Sequence, residues 1–309
     1  MLRIMAVAVN TFREAVRDRV LNGVLGVALS VLVLTLAMAE VSLDQQRRIV
    51  LDIGLSSISF FAVVVSVFLG SSLLYKEIER KTLYVILPKP IRRHEFLLGK
   101  YFGIVFTAFV FVAIMGAVQL CVTATQAGGS LPLLAAVVLG MPALLGLAMY
   151  KARDRTAVLL PWSLLALLAA AALALRAEVE VPMILAALLL TLGEVLVLTA
   201  VALVFSAFST PFLTALFTIG VWLVGRSADT MSGLKKLAMA PAIKSLLMKL
   251  VHIWPNFNLF VPGHHTLERQ LDAHAGPLTY VGATMAYAVL YSAVLLTCAS
   301  LIFRKRDFL

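Results

Sequence analysis

The chain has 309 residues, a formal net charge of +10, 61% hydrophobic residues and 14% charged residues. Its hydrophobic fraction is far above that of soluble domains and its charged fraction is well below it, which excludes a soluble globular protein and favours an integral membrane protein. The basic excess does not indicate nucleic-acid binding, because most of the basic residues flank apolar runs, as they do in the cytoplasmic loops of membrane proteins.

Residues 1–19 predict an amphipathic helix that lies in the headgroup layer of the membrane. Arg3 and Arg13 alternate with Ile4 and Phe12 at near-helical spacing. Basic residues on one face and apolar residues on the other let such a helix lie flat at the interface. The alternative is a frayed basic amino terminus.

Eight apolar runs follow, and each predicts a helix, because every backbone amide in lipid must be satisfied within its own segment. The runs are Val20–Glu40, Val50–Tyr75, Tyr101–Gln126, Leu131–Tyr150, Ala157–Leu175, Val181–Ala207, Pro211–Gly225 and Thr279–Phe303. We therefore expect an all-α, polytopic membrane protein of about eight spans, forming a single transmembrane domain over 1–309. The seventh run is short, about 15 residues, and is expected to tilt little or to be partly re-entrant.

The distribution of charge predicts the orientation. An even number of spans puts both termini on one side, and with the amino terminus inside, the segment 76–100 alone brings seven Lys and Arg residues to the inner side. The short outer loops carry only Arg47, Arg48 and Arg176. We therefore expect both termini in the cytoplasm.

Residues 76–100 form the most charged segment between two apolar runs. A short helix is expected first, then a corner at Pro88 and Pro90, because proline lacks the amide donor and disfavours helix in the residue before it. A basic second helix start, with Arg92 and Arg93, then leads into the next run. This arrangement predicts a docking surface and not a catalytic pocket.

This segment resembles the cytoplasmic coupling segment of ABC-type efflux permeases of the ABCG-like exporter class. The matching residues are Glu77, Glu79, Thr82, Leu83, Leu87, Pro88, Arg92 or Arg93, Glu95, Phe96, Leu97, Leu98, Gly99 and Lys100. The last helix with its basic tail, and the stretch WPNFNLF at 254–260, also resemble that family. The family usually has six spans, so 131–176 is interpreted as an inserted hairpin. The resemblance also places short external helices within 226–277.

The resemblance implies the membrane-spanning subunit of an ATP-driven exporter of the bacterial inner membrane, working by alternating access. The chain has no G-x-x-x-x-G-K-[ST] motif, so ATP and Mg²⁺ are expected on a separate ATPase subunit, in two copies, with a second permease chain forming a homodimer. No cofactor and no catalytic residue are expected in this chain itself. The residues expected to couple to the ATPase are Glu77, Glu79, Arg80, Thr82, Leu83, Pro88, Arg92, Arg93 and Glu95. The alternative is a solvated loop whose charges only set the topology.

Glu194 is the one acidic residue deep in an apolar run. An ionised carboxylate is costly there, so it must be paired, protonated or wetted. One interpretation is a pathway, gating or proton-coupled residue, which would suit a secondary carrier or channel as the alternative function. The other is a neutral carboxyl group hydrogen-bonded to a neighbouring helix, or to Thr191 or Thr199 of its own.

Three weaker patterns remain. The histidines of the long loop, among them His264 with Glu268 four residues later, could belong to a metal site of a membrane enzyme, but ordinary surface histidines are favoured. Gly99 and Gly103 form one G-x-x-x-G pair that allows close helix contact. Cys121 and Cys298 are expected near opposite faces, as packing residues without a disulfide. A partner-binding scaffold that transports nothing also stays open as a function.

Overall fold

The computed structural model describes residues 2–41, 46–79, 92–152, 154–227, 254–261 and 277–305. Within these ranges all regular structure is helical, which confirms the predicted class of an all-α polytopic membrane protein. The helices are α1 Leu2–Val16, α2 Arg19–Val41, α3 Gln46–Glu79, α4 Arg93–Gln126, α5 Leu131–Lys151, α6 Leu159–Arg176, α7 Val181–Ser206, α8 Pro211–Arg226 and α9 Pro277–Lys305, with a 3₁₀ turn at Phe257–Phe260.

Each of the eight predicted apolar runs corresponds to one helix. Seven of the described helices are long and apolar enough to cross a membrane, and α8, with 16 residues, is shorter. Helices α3 and α4 have 34 residues each and extend well beyond their predicted runs. Charged residues such as Arg47 and Arg48 at the start of α3 end the apolar runs without ending the helix, because they are acceptable helix formers.

Helix α7 forms the centre of the bundle. It packs against α3, α4, α8 and α9, and its buried positions run along almost its whole length. Helix α4 provides the second inner wall and packs against α1, α3 and α6. Helix α5 lies at the periphery, and its side chains contact little besides α6.

The chain segments predicted to lie inside the cell meet at one end of the bundle, which we call the α1 end. Phe96 at the start of α4 stacks on Phe303 at the end of α9, with ring centroids 6.4 Å apart. Ala207, just after α7, is buried with them, and Val7 of α1 packs against the same cluster. Asp154, between α5 and α6, forms an ion pair with Arg13 of α1.

The loops predicted to lie outside meet at the opposite end. The Arg47 guanidinium donates to the backbone carbonyl of Glu178 at 3.3 Å. Gly129 after α4 lies close to Ala177 after α6. The structure therefore divides the described loops between two ends in the same way as the distribution of charge predicted.

The two cysteines also lie towards opposite ends, without a disulfide. Cys121 is near the end of α4 and is buried, as expected for a packing residue. Cys298 of α9 is exposed, so the prediction that it packs in the core is wrong. It lies on the face of α9 that points away from the bundle.

Candidate functional site: a buried carboxylate and the α1 end

A buried polar cluster surrounds Glu194 of α7. The Glu194 carboxylate is fully buried and accepts hydrogen bonds from the Ser59 hydroxyl of α3 at 2.8 Å and from the Trp222 indole of α8 at 2.7 Å. The Arg226 guanidinium, at the end of α8, donates to it at 2.9 Å and also lies over the Trp222 ring at 5.6 Å. We call Ser59, Glu194, Trp222 and Arg226 the Glu194 cluster.

The cluster lies near the middle of the bundle. Glu194 is 12 residues from the end of α7 at Ser206 and 13 from its start at Val181, which corresponds to about 18–20 Å from either end at 1.5 Å per residue. The Arg226 side chain is 27% exposed. The cluster therefore contains an ion pair at the mid-length of α7, closed on the carboxylate side and partly open on the guanidinium side.

The expected partners of Glu194 were partly wrong. Hydrogen bonds from neighbouring helices are present, but the predicted donors Thr191 and Thr199 are not among them, and the Thr191 hydroxyl donates to the carbonyl of Ala187 at 3.0 Å. The sequence interpretation assigned Arg226 to the outer loop, whereas it is the last residue of α8 and forms an ion pair with Glu194. The Glu194 carboxyl group therefore has its partners on α3 and α8 and none among the described residues of its own helix.

The stretch 254–260 enters the bundle beside this cluster. Phe257 and Phe260 are fully buried. The Trp254 indole donates to the carbonyl of Val221 in α8 at 2.9 Å, and the Tyr280 hydroxyl of α9 donates to the carbonyl of Leu259 at 2.8 Å. The irregular backbone of 254–260 is tolerated inside the bundle because protein groups form hydrogen bonds with its polar atoms.

Two glycines make room for this stretch. A side chain at Gly225 of α8 would collide with the carbonyl oxygen of Pro255 and, at 2.5 Å, with the Phe257 ring. A side chain at Gly193 of α7, next to Glu194, would come within 2.7 Å of the Phe260 ring. Gly193 lies about 18 Å along α7 from the helix start at Val181, which is at the opposite end of the bundle. The stretch 254–260 therefore reaches about halfway into the bundle and closes it directly above the Glu194 cluster.

Four of the nine predicted ATPase-coupling residues lie outside the described structure. Arg80, Thr82, Leu83 and Pro88 are not described. Glu77 and Glu79 lie in the last two turns of α3, and Arg93 begins α4, but only their backbone is described. Their roles stay predictions.

The second described part of the coupling segment is the start of α4. The Arg92 amide donates to the Glu95 carboxylate at 2.9 Å, so Glu95 caps α4 three residues along. A carboxylate in the first turn also interacts favourably with the helix dipole. Arg92 itself is exposed. Glu95 therefore has a local structural role whether or not it contacts a partner.

The predicted close contact at Gly99 and Gly103 is present, and it is made with α1. A side chain at Gly99 would lie 2.5 Å from Cβ of Val7, and one at Gly103 would lie 2.7 Å from the carbonyl oxygen of Ala8. The missing side chains let the backbones of α1 and α4 approach closely. The pair holds α1 against the start of α4.

Lys100, one residue after the first of these glycines, is almost fully buried. Its ammonium lies 3.7 Å from the Glu14 carboxylate of α1 and 5.8 Å from the centre of the Phe96 ring. The matched motif residues 96–100 therefore pack against α1 and against the end of α9. Glu14 and Asp154, whose partners are charged residues of other segments, were not predicted as contacts.

The loop histidines with Glu268 and Asp272 lie outside the described residues, and the metal-site alternative stays a prediction. Among the described residues no group of His, Cys, Asp and Glu is placed to hold a metal ion. Trp222 and Arg226 were the functional candidates that the sequence reasoning missed. Trp222 and Arg226 are four residues apart at the end of a short apolar run, and this spacing could have indicated them. No feature of the sequence marks Ser59.

No curated protein matches the chain. The model of one protein family, described as "ABC-2 family transporter protein", matches residues 5–308, which is nearly the whole chain. The chain therefore belongs to this family, as a membrane-spanning permease subunit of an ABC transporter.

Proposed function

We propose that the chain is the permease of an ATP-driven exporter in the bacterial cytoplasmic membrane, with both termini in the cytoplasm. Two copies form the transport path by alternating access, and two separate ATPase subunits bind the segments 76–100 at the α1 end. ATP and Mg²⁺ bind to the ATPase subunits. Export, coupling to ATP and the homodimer are parts of this proposal and go beyond family membership.

The observation that carries the proposal is the continuity of α3. It runs without a break from Gln46 to Glu79, and its last residues lead directly into the coupling segment. Ser59 of the same helix donates to Glu194. Ser59 and Glu79 are 20 residues apart, about 30 Å of helix. A push on the coupling segment therefore reaches the Glu194 cluster through one rigid element.

The cluster is suited to act as a gate because it connects three helices. Glu194 holds Ser59 of α3 and Arg226 of α8, and α8 in turn contacts the stretch 254–260. A movement of α3 along its axis changes the geometry at Ser59 and loosens the ion pair. Loosening this pair frees α8 and the buried stretch, which opens the bundle towards the opposite end. Glu194 is the gating residue in this proposal.

The test is purification of the chain from its native membrane in mild detergent. We expect a subunit with a phosphate-binding loop and ATPase activity to co-purify. Glu79→Lys and Leu83→Asp should release it, whereas Gln46→Lys, at the other end of α3, should not. If no ATPase subunit is retained under several gentle conditions, the ATP-driven exporter is contradicted and a secondary carrier using Glu194 becomes the better explanation.

A second measurement tests the connection through α3. Ser59→Ala removes the α3 hydrogen bond to Glu194 without touching the coupling segment. We expect the complex to keep its ATPase subunit but to change its rate of ATP hydrolysis in reconstituted membranes. An unchanged rate would separate the Glu194 cluster from ATPase coupling.

A further inference from the structure

A groove between α4 and α9, floored by α7, runs along the α1-end half of the bundle. Its volume is about 660 Å³ and its lining is almost entirely apolar. Helix α4 contributes positions 94, 97, 98, 101 and 102, and α9 contributes 289, 292, 293, 296, 297, 300 and 301. Both sets follow the i, i+3, i+4 spacing of a single helix face. The groove is therefore continuous and lies between one face of α4 and one face of α9.

The groove has the length of one bilayer leaflet. From Val289 to Leu301 the α9 face covers about 18 Å at 1.5 Å per residue, and half of a bilayer's hydrocarbon core is about 15 Å thick. Phe102 and Leu301 on its rims are 41% and 61% exposed. The groove is open to its surroundings along its side and ends at the α1 end near His94.

The chain segments next to the groove at the α1 end are rich in basic residues. Arg92 and His94 at the start of α4 are exposed, and Arg93 lies between them. The groove face of α9 continues by helix register from positions 300 and 301 to Arg304 and Lys305. Apolar walls next to these basic segments are complementary to a molecule with an acyl chain and an anionic headgroup.

The groove is too small to enclose a helix of a second copy. A helix about 10 Å wide and 18 Å long occupies about 1400 Å³, roughly twice the volume of the groove. An acyl chain is much narrower and flexible enough to follow the groove past the Tyr101 ring, whose hydroxyl is already bonded to the Leu196 carbonyl.

We propose that this groove binds an anionic phospholipid of the leaflet at the α1 end as a structural ligand. The acyl chain lies between α4 and α9, and the headgroup lies at the α1 end, next to the exposed Arg92 and to the basic end of α9. Anionic lipids are enriched in the cytoplasmic leaflet and attract Lys and Arg residues near the surface. The bound lipid supports the start of α4 beside the coupling segment.

The test uses the full chain in nanodiscs of phosphatidylcholine that contain a trace of a lipid with a photoreactive acyl chain. The probe carries either a phosphatidylglycerol or a phosphatidylcholine headgroup, and the labelled peptides are mapped by mass spectrometry. We expect the phosphatidylglycerol probe to label the groove segments 94–102 and 289–301 more strongly than the exposed helices α2 and α5. The phosphatidylcholine probe should label the groove several-fold less.

Matched variants separate the two parts of the site. Ala293→Trp fills the groove and should abolish preferential labelling, whereas Val294→Trp, on the adjacent position outside the groove, should not. Arg304→Gln with Lys305→Gln should remove most of the several-fold preference for phosphatidylglycerol, because each cation near the surface adds to the attraction for an anionic headgroup. Elution as a single species in size-exclusion chromatography confirms that each variant is folded.

Three results would overturn the proposal: equal groove labelling by both probes, labelling spread evenly over all exposed helices, or unchanged labelling of Ala293→Trp. A groove covered by a second copy would give no labelling and a disulfide between Ala293→Cys chains, which also overturns it. The nanodiscs have the same composition on both sides and contain no ATPase. The outcome therefore does not depend on whether the proposed exporter function or orientation is correct.

Discussion

Helices α7 and α5 have similar compositions and opposite environments. Their spanning windows have mean hydropathies of 2.5 and 2.1, yet 72% of the first window is buried in the bundle and none of the second is. Lipid tails are as apolar as leucine side chains, so hydropathy predicts that a segment crosses the membrane but not what it packs against. Burial depends instead on polar groups, such as Glu194 in α7, that require a protein neighbour, whereas Gly140 and Gly146 of α5 have no described neighbour within 4 Å of an added side chain.

The sharpest test of this contrast is the polar group of α7. Glu194→Leu leaves the Arg226 guanidinium and the Trp222 indole without their acceptor, and breaking a buried ion pair typically costs about 3–5 kcal/mol. The double variant Glu194→Leu/Arg226→Leu should be more stable than either single variant, because no unpaired charge remains. Unfolding in detergent, followed by tryptophan fluorescence, measures the stability of the single variants and of the double variant.

The control for this prediction is Thr191→Val, one turn away on α7. Its hydroxyl bonds only within its own helix, and losing one such bond costs about 1 kcal/mol. Equal losses from Glu194→Leu and Thr191→Val would contradict the assignment of the cluster as the main polar contact of α7.

Glycines give a second test of where the bundle is tightly packed. Gly225→Leu should destabilise the protein by about 1–3 kcal/mol, because the new side chain meets the Pro255 carbonyl and the Phe257 ring. Gly220→Leu on the same helix meets nothing within 4 Å. Both changes replace a glycine of α8 by leucine, so a lower thermal midpoint for Gly225→Leu reports the contact. Identical midpoints would mean that 254–260 does not pack against α8.

The ion pair between Arg13 and Asp154 connects the loop between α5 and α6 to α1. Both side chains are about 40% exposed, so breaking the pair should cost only about 0.2–1 kcal/mol and less at high salt. We expect Arg13→Asp to loosen the contact between α1 and the loop after α5, and Arg13→Asp/Asp154→Arg to restore it. Hydrogen exchange of the peptides around 13 and 154 reports the contact. Failure of the double variant to restore protection would contradict a direct pair.

The smallest effect is expected on α5. Leu139 is 72% exposed, and it faces lipid in both the folded and the membrane-inserted unfolded state, so Leu139→Ala should change stability by less than about 0.5 kcal/mol. Leu190→Ala on α7, where the side chain is fully buried, should cost about 2–5 kcal/mol. Thermal unfolding of the two variants side by side tests the contrast directly, and a similar loss in both would show that α5 has a protein neighbour.

The fold was largely predictable from local pattern. All eight apolar runs are helices, and the described loops lie at the two ends of the bundle in the groups that the charges predicted. The close contact at Gly99 and Gly103 was predicted as well, but not its partner, since α1 is separated from it by more than 80 residues and two spans.

The candidate site was predictable only in part. Glu194 was recognisable because an acidic residue in an apolar run must have a compensating partner. Arg226 was not identified as that partner, because it stands at the boundary of an apolar run and the long loop, 32 residues from Glu194. Only the packing of α8 against α7 brings the two charges together.

The sequence by itself determined the membrane-spanning helices, the charge division between the two ends and the need to satisfy Glu194, because each follows from the cost of polar groups in lipid. The tertiary structure alone decided that Arg226 and Trp222 satisfy this carboxylate, that 254–260 reaches halfway into the bundle, and that α5 stays at the periphery. These features depend on contacts between segments far apart in the chain. Such contacts are set by the shapes of helix surfaces, which hydropathy does not record.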